Sequence, residues 1–299
     1  MNLRRINVHL HIALYGHILN WLWLPDSERR RRRGDAVRDA VLAYLQQYVP
    51  YISDIPEDGP AGKEPERMFS IWLQGEENAP PIVKACFRSM RRHSRQELVV
   101  LDSSSMSDWI DLPGYIMDKW KAGKIRPAHF SDICRTELLY RHGGVWMDAT
   151  DFMTSPVPDS IMNQDFFIFM SGESVFGAYA FVQNCFFRSR KGNYLLKAWN
   201  TAMQAYWKYE SSTVDYFVHQ LLFRLAVENN PRAAALFARM PRISQDPTHV
   251  LWWDYRNRPF CQEEFSRLTA GSFFQKTEYK SAAASSPVPG SFSDIMLRM

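Results

Sequence analysis

The sequence predicts an α/β domain, a parallel sheet with helices on its faces, followed by a more helical carboxyl-terminal part. Three observations carry this reading. Residues 68–73 (MFSIWL), Pro81–His93 and residues 97–101 (ELVVL) read strand, helix, strand, the unit from which parallel sheets are built. A second long helical pattern, Pro127–His142, ends in Gly143-Gly144 and feeds a short apolar strand at 144–148 (GVWMD). From 191 to 239 apolar residues recur at helical spacing, with a break at Asn229-Asn230-Pro231.

Composition sets the outer limits. The chain has 299 residues, 46% hydrophobic and 23% charged, which is ordinary for a protein with a large core. Its net charge of +4 is unevenly placed. Residues 1–33 hold seven of the 36 Lys+Arg, including the run Arg29 to Arg33, and two of the 32 Asp+Glu. The rest therefore carries 29 basic against 30 acidic residues, which excludes a basic nucleic-acid-binding body. Four cysteines, Cys86, Cys134, Cys185 and Cys261, are far apart and form no C-x-x-C pair. Neither a zinc ribbon nor a disulfide scaffold fits, and buried reduced thiols in the cytosol are expected.

Taken in chain order, residues 6–24 lack a formal charge and thirteen of the 19 are apolar. They are long enough to cross a bilayer, but Asn7, His9, His11, His17 and Asn20 are costly in hydrocarbon. A marginal span or interfacial anchor and a soluble docking helix both remain open. With Trp21, Trp23 and the arginine run after it, the segment predicts attachment to an anionic membrane surface. The arginine flank places the body on the cytoplasmic face. Residues 1–34 thus form a membrane-associating leader, and 35–66 a helix (35–48) with a Pro/Gly/acid-rich linker (53–66). The main domain spans 67–280. Within it, 103–123 reads as short helices around Pro113-Gly114, while 166–170, 181–187 and 272–279 read as strands. Residues 281–299 begin SAAASSPVPGS and read as a disordered tail.

Chemistry concentrates in residues 128–151, AHFSDICRTELLYRHGGVWMDATD. Asp132 and Arg135, at i and i+3, share a helix face. The glycine pair ends that helix, and the next strand delivers Asp148 at its carboxyl end, where open α/β sheets bind ligands. An acid there can hold a hard divalent cation that neutralises a diphosphate, with oxygens of Thr150 and Asp151 close by. The same residues also suit a capped helix, a buried Asp–Arg pair and a turn aspartate. No P-loop, dinucleotide turn, nucleophile elbow or H-E-x-x-H motif is present.

The run S-D-x-x-R followed by G-G-x-W-x-D-A-T resembles the capsular polysaccharide synthesis family of sugar transferases, relatives of the DxD-type mannosyltransferases and large glucosylating toxins. Ile71 to Gly75, Ala79 to Cys86, Asp111 to Ile116, Asp215 to Phe217 and Gln275 to Lys280 resemble further family segments in the same order. The resemblance implies a GT-A-like nucleotide-sugar-binding sheet with a helical carboxyl-terminal acceptor region. It implies a Mn²⁺- or Mg²⁺-dependent transferase of the retaining kind, moving a hexose from a nucleotide-sugar donor, UDP-linked, to a capsular or cell-surface glycan or lipid-linked glycan.

Carried over by residue, the resemblance gives Trp72, with Gln74 beside it, to the nucleotide base, and Asp132 and Arg135 to the ribose or donor sugar. Asp148 becomes the first metal acid, with Thr150 where the broader group has the second, and Asp151 next to it. His249 is a further candidate metal ligand or diphosphate contact, set against a core or surface histidine. Lys276 is a candidate diphosphate contact, set against a solvated lysine. Asp215 and His219 are candidates for orienting the acceptor, set against a helix-start carboxylate with a packed histidine. Because Thr150 replaces an acid, a non-catalytic glycan-binding or complex-organising subunit on the same fold is the alternative.

Overall fold

The computed structural model describes residues 26–58, 66–172 and 179–299, together with positions 8, 10, 13, 14 and 18. Seven strands lie among the described residues: β1 (Met68–Ile71), β2 (Leu98–Leu101), β3 (Gly144–Met147), β4 (Asp151–Met153), β5 (Phe166–Met170), β6 (Val182–Ser189) and β7 (Phe274–Lys276). Five form one sheet in the order β2-β1-β3-β6-β5, and β4 and β7 form a two-stranded ribbon. β1 is parallel to both β2 and β3, whereas β6 runs antiparallel to β3 and to β5. The sheet is thus mixed, with its parallel part built from the strand–helix–strand unit legible in the sequence. β1 and β3 are buried at every residue, as strands covered on both faces must be, which is why they read as unbroken apolar runs.

The longer helices are α1 (Asp26–Leu45), α2 (Pro81–His93), α3 (Gly114–Lys121), α4 (Pro127–His142), α5 (Tyr194–Tyr209), α6 (Val218–Asn229) and α7 (Pro231–Arg239). Proline opens α2 and α4 at a position where its missing N–H costs nothing. α2 buries Ile82, Val83, Cys86, Phe87 and Met90, and its last turn carries Arg91, Arg92 and His93, where the helix dipole favours cations. Gly143 ends α4 at φ 68° and Gly144 follows at φ 98°. A Cβ on Gly144 would lie 2.3 Å from the Arg67 carbonyl oxygen, so the pair serves both conformation and close packing.

α1 starts at Asp26, so the arginine run belongs to it, with Arg30 to Arg33 exposed. Most of 6–24 lies outside the described residues, and no described helix is long and apolar enough to cross a membrane. The segment after 280, expected to be disordered, is folded instead. Its last helix, Phe292–Arg298, buries Phe292 and Met296 completely and lies against α2, where Arg88 Nη2 donates to the Leu297 carbonyl at 2.6 Å. Ser/Ala/Pro composition hid those two apolar anchors.

Candidate active site

β1 connects to β2 on one side of it, and the chain then returns to place β3 on the other. The strand order therefore reverses between β1 and β3, and their carboxyl ends open a crevice of the kind that binds ligands in α/β sheets. A cavity of about 280 Å³ lies there. Residues 71–74 after β1, Trp146 and 148–150 at the end of β3, Pro127, Ala128, Ser131 and Arg135 of α4, and Tyr279 line it. Trp72 packs edge-on against Tyr279, ring centroids 5.2 Å apart, and its indole N–H is buried without a partner. A second cavity, about 820 Å³, opens beside Gly143 and Gly144 at the opposite end of β3. The smaller one is the better candidate. The larger sits at the amino end of the parallel strands, and its charges are already matched: Arg188 with Glu66, Arg190 with Asp165, Lys197 with Asp58.

The floor of the smaller cavity is an ion-pair chain. Arg135 Nη2 lies 3.2 Å from Asp148 Oδ1 and 3.3 Å from Asp132 Oδ1. Its Nη1 donates to the Asn184 carbonyl at 2.6 Å, and its guanidinium lies 4.8 Å from the Trp146 ring centroid. Asp148 Oδ1 also accepts from Trp146 Nε1 at 2.8 Å, and Oδ2 accepts from Lys276 Nζ at 2.7 Å. Lys276 reaches this position because β7 pairs with β4 in the register Asp151↔Lys276. Its ammonium is 3.1 Å from Asp151 Oδ1, off the line of a hydrogen bond, so the contact is Coulombic.

Burial alone would raise the Asp148 pKa, but Arg135 and Lys276 overcome it and hold the carboxyl below the usual range. Asp151 is fully buried, and burial outweighs Lys276 and lifts its pKa to about 7. Lys276 stays charged, because the two carboxylates more than offset its own burial.

Behind this chain lies a second cluster. Asp132 Oδ1 accepts from Asn184 Nδ2 at 2.8 Å, and Oδ2 from His219 Nδ1 at 2.8 Å, with His129 Nδ1 at 3.5 Å. Burial opposes its ionisation, yet Arg135 and the two imidazoles hold its pKa well below the ordinary value. Each of His129, Asp132 and His219 brings a ligand atom within 4.8 Å of the others, and such a group could hold a metal ion. The hydrogen bonds set a condition on that. His219 Nε2 lies 2.9 Å from Trp207 Nε1, and an indole nitrogen only donates. The proton of neutral His219 therefore sits on Nδ1 and points at Asp132. Loading a metal at Nδ1 would move that proton to Nε2, against the indole N–H. As folded, the cluster anchors Asp132.

The site predicted from sequence is thus largely brought together, with its parts rearranged. Trp72, Gln74, Arg135, Asp148 and Thr150 line the cavity; Asp132 and His219 lie behind it, and Lys276 bridges Asp148 and Asp151. Asp215 does not join them: its carboxylate accepts from the Phe217 N–H at 2.8 Å and organises the start of α6. His249 is buried, bonded to the Thr248 hydroxyl at 2.7 Å, and neutral. Burial, with the charge of Lys276, drops its pKa to about 4. Among the described residues, Asp148, Asp151 and His249 do not form a three-ligand group. The Thr150 carbonyl is already taken by the Thr277 N–H and hydroxyl, each at 2.8 Å. A divalent ion at Asp148 therefore does not fit the donor set as it stands.

Three residues went unnoticed as site residues in the sequence. His129, three positions before Asp132, could have been found from helix spacing. Tyr279 lay within a noted motif. Tyr216 is 63% exposed with its ring 5.6 Å from His129, a placement only the fold reveals.

Comparisons with known proteins agree with this geometry. A family model described as capsular polysaccharide synthesis protein matches residues 23–293. "O-glycosyltransferase braB" of Annulohypoxylon truncatum is 25% identical over 224 residues, covering 68% of this chain and 49% of that protein. "Glycosyltransferase afumC" of Aspergillus fumigatus is 24% identical over 265 residues, covering 82% of this chain and 62% of that one. The chain thus spans less than two thirds of either relative. No solved structure matches. Since the matched span takes in the whole ion-pair chain and the cavity from Trp72 to Tyr279, the protein belongs to the capsular polysaccharide synthesis protein family.

Proposed function

We propose that this protein transfers a sugar, a hexose by the family resemblance, from a nucleotide donor to an acceptor hydroxyl on a GT-A-like fold. One observation carries the reading. The reversal of strand order between β1 and β3 opens a cavity with an aromatic wall on one side and paired charges on the other. Trp72 and Tyr279 suit a nucleotide base, and the unpaired Trp72 N–H offers it a hydrogen bond. Arg135, Lys276 and Asp148 suit a diphosphate and the sugar hydroxyls beside it. At about 280 Å³ the cavity matches the small end of ligand pockets.

In the reaction, the bond from the anomeric carbon to the diphosphate breaks with its electron pair going to the diphosphate oxygen. The acceptor oxygen bonds the same carbon. In a retaining transfer its proton passes to the departing diphosphate. Arg135 and Lys276 meet the charge that develops there. Both relatives carry the name glycosyltransferase, and one is named for transfer to oxygen. A UDP-linked donor and a glycan or lipid-linked acceptor follow from the resemblance. Attachment to an anionic membrane draws support from exposed Arg30 to Arg33 and from exposed Leu10, Leu14 and Ile18, spaced four residues apart.

The test is a panel of nucleotide sugars incubated with the full chain, scoring release of nucleoside diphosphate. Release from one donor, blocked by excess of its own nucleoside diphosphate, is expected. No release and no binding across the panel would refute the reading.

A further inference from the structure

Transferases of this fold are expected to neutralise the donor diphosphate with a divalent ion held by two acids. Here the position between the acids is filled by the chain itself. The Lys276 ammonium sits 2.7 Å from Asp148 Oδ2 and 3.1 Å from Asp151 Oδ1, on a strand whose register with β4 fixes it there. The other Asp148 oxygen is occupied by the Trp146 indole and the Arg135 guanidinium. Thr150 stands where a second acid would project into the cavity, and its carbonyl already accepts two hydrogen bonds from Thr277. His249 shares its Nδ1 with the Thr248 hydroxyl. A divalent ion entering here would meet two fixed cations, and it would have to expel Lys276 to gain a carboxylate oxygen.

We propose that Lys276 is the resident counter-cation of this site, so that a nucleoside diphosphate binds, and later departs, without a divalent metal. This rests on the transferase reading above and gives its diphosphate a specific partner. An ammonium has three donors, of which one bonds Asp148 and a second faces Asp151 Oδ1 at 3.1 Å. The side chain keeps 17% of its surface exposed, and its ammonium is bonded to Asp148, which lines the cavity. A fixed ammonium costs no reorganisation when the diphosphate arrives, which is the condition for stabilising charge as it develops. Asp148 and Asp151 then position the ammonium, whereas in a metal site they would be ligands.

The experiment is calorimetric titration of the full chain with the diphosphates of uridine, guanosine, adenosine, cytidine and thymidine. Each is run in EDTA and again with Mn²⁺. The wild-type protein is expected to bind one of them with the same affinity in both conditions. Lys276→Gln should weaken that binding by about tenfold or more, the size of a lost charge-assisted contact. Lys276→Arg, which keeps the charge, should stay within about threefold of wild type. Thermal melting of each variant shows whether a loss reflects unfolding. Should Lys276→Gln fail to fold, the wild-type comparison and Lys276→Arg still decide. Wild-type binding that disappears in EDTA and returns with Mn²⁺ would overturn the proposal while leaving the transferase reading intact. So would a folded Lys276→Gln that binds like wild type. Binding of no nucleoside diphosphate in either condition would overturn both.

Discussion

Asp132 and Asp148 both rest on the Arg135 guanidinium, 3.3 and 3.2 Å from it, yet only Asp148 lines the cavity. Asp132 is enclosed by Asn184, His219 and His129, and its surroundings are closed again by Trp207 and by Gln220, which donates to Asn184 at 3.1 Å. Asp148 keeps 22% of its side chain exposed, and its partner Lys276 keeps 17%. The same guanidinium therefore serves two roles. On the buried side its pair with Asp132 fixes the angle of Arg135. On the open side its pair with Asp148 presents charge to a ligand. What separates the roles is access to solvent, since both carboxyl groups are held ionised by the same cation.

The largest effect expected from this contrast is on stability. Asp132→Asn would leave Arg135 and two imidazole donors facing an amide, and breaking such a buried pair costs about 3–5 kcal/mol. Urea unfolding measures it; a loss under about 1 kcal/mol would show that Asp132 is not the anchor. Trp72→Ala acts on the open side. It should weaken nucleotide binding by about 1–3 kcal/mol, the worth of a base–aromatic stack, while the melting temperature moves far less than for Asp132→Asn. Equal binding by that variant would detach the aromatic wall from the ligand. Trp207→Phe removes the donor that sets the His219 tautomer. We expect a stability loss of about 1–2 kcal/mol, with nucleotide affinity unchanged. A drop in affinity alone would erase the distinction between the two clusters.

Asp102 supplies a third carboxylate, with no cation partner among the described residues. Its Oδ1 accepts from the N–H groups and hydroxyls of Ser104 and Ser105, and these bonds lower its pKa from 3.8 to about 2. The folded value lies below the unfolded one, so its contribution is present above the unfolded pKa and is lost as pH falls toward 2. Melting curves of wild type and Asp102→Asn should therefore converge as pH falls from about 4 to about 2, and the convergence should not depend on salt. A salt-dependent difference would mean that a cation is involved after all.

Much of this was legible in the sequence, and the rest was hidden for physical reasons. α4 could be read end to end because Pro127 and Gly143 mark its termini, and the carboxyl end of β3 delivers Asp148 as its position predicts. β4 was missed because it is three residues long and begins on a carboxylate that looks like part of a turn. The meeting of Lys276 with Asp151 depends on strand register between segments far apart in the chain, which no local pattern encodes. Asp215 and His219 looked equivalent at i and i+4. Only packing shows that one bonds the Phe217 N–H just before α6 while the other supports Asp132. The folded tail illustrates the same limit, since Phe292 and Met296 are two anchors within a polar, low-complexity stretch.

The central claim, that the open-side carboxylate serves chemistry and the buried one serves structure, is tested most directly by Asp148→Asn. Donor turnover and urea unfolding are measured on the same preparation. We predict turnover reduced by about 100-fold or more, the scale of a lost charge contact at a developing transition state, with stability within about 1–2 kcal/mol of wild type. Unchanged turnover, or a stability loss as large as that of Asp132→Asn, would contradict the account.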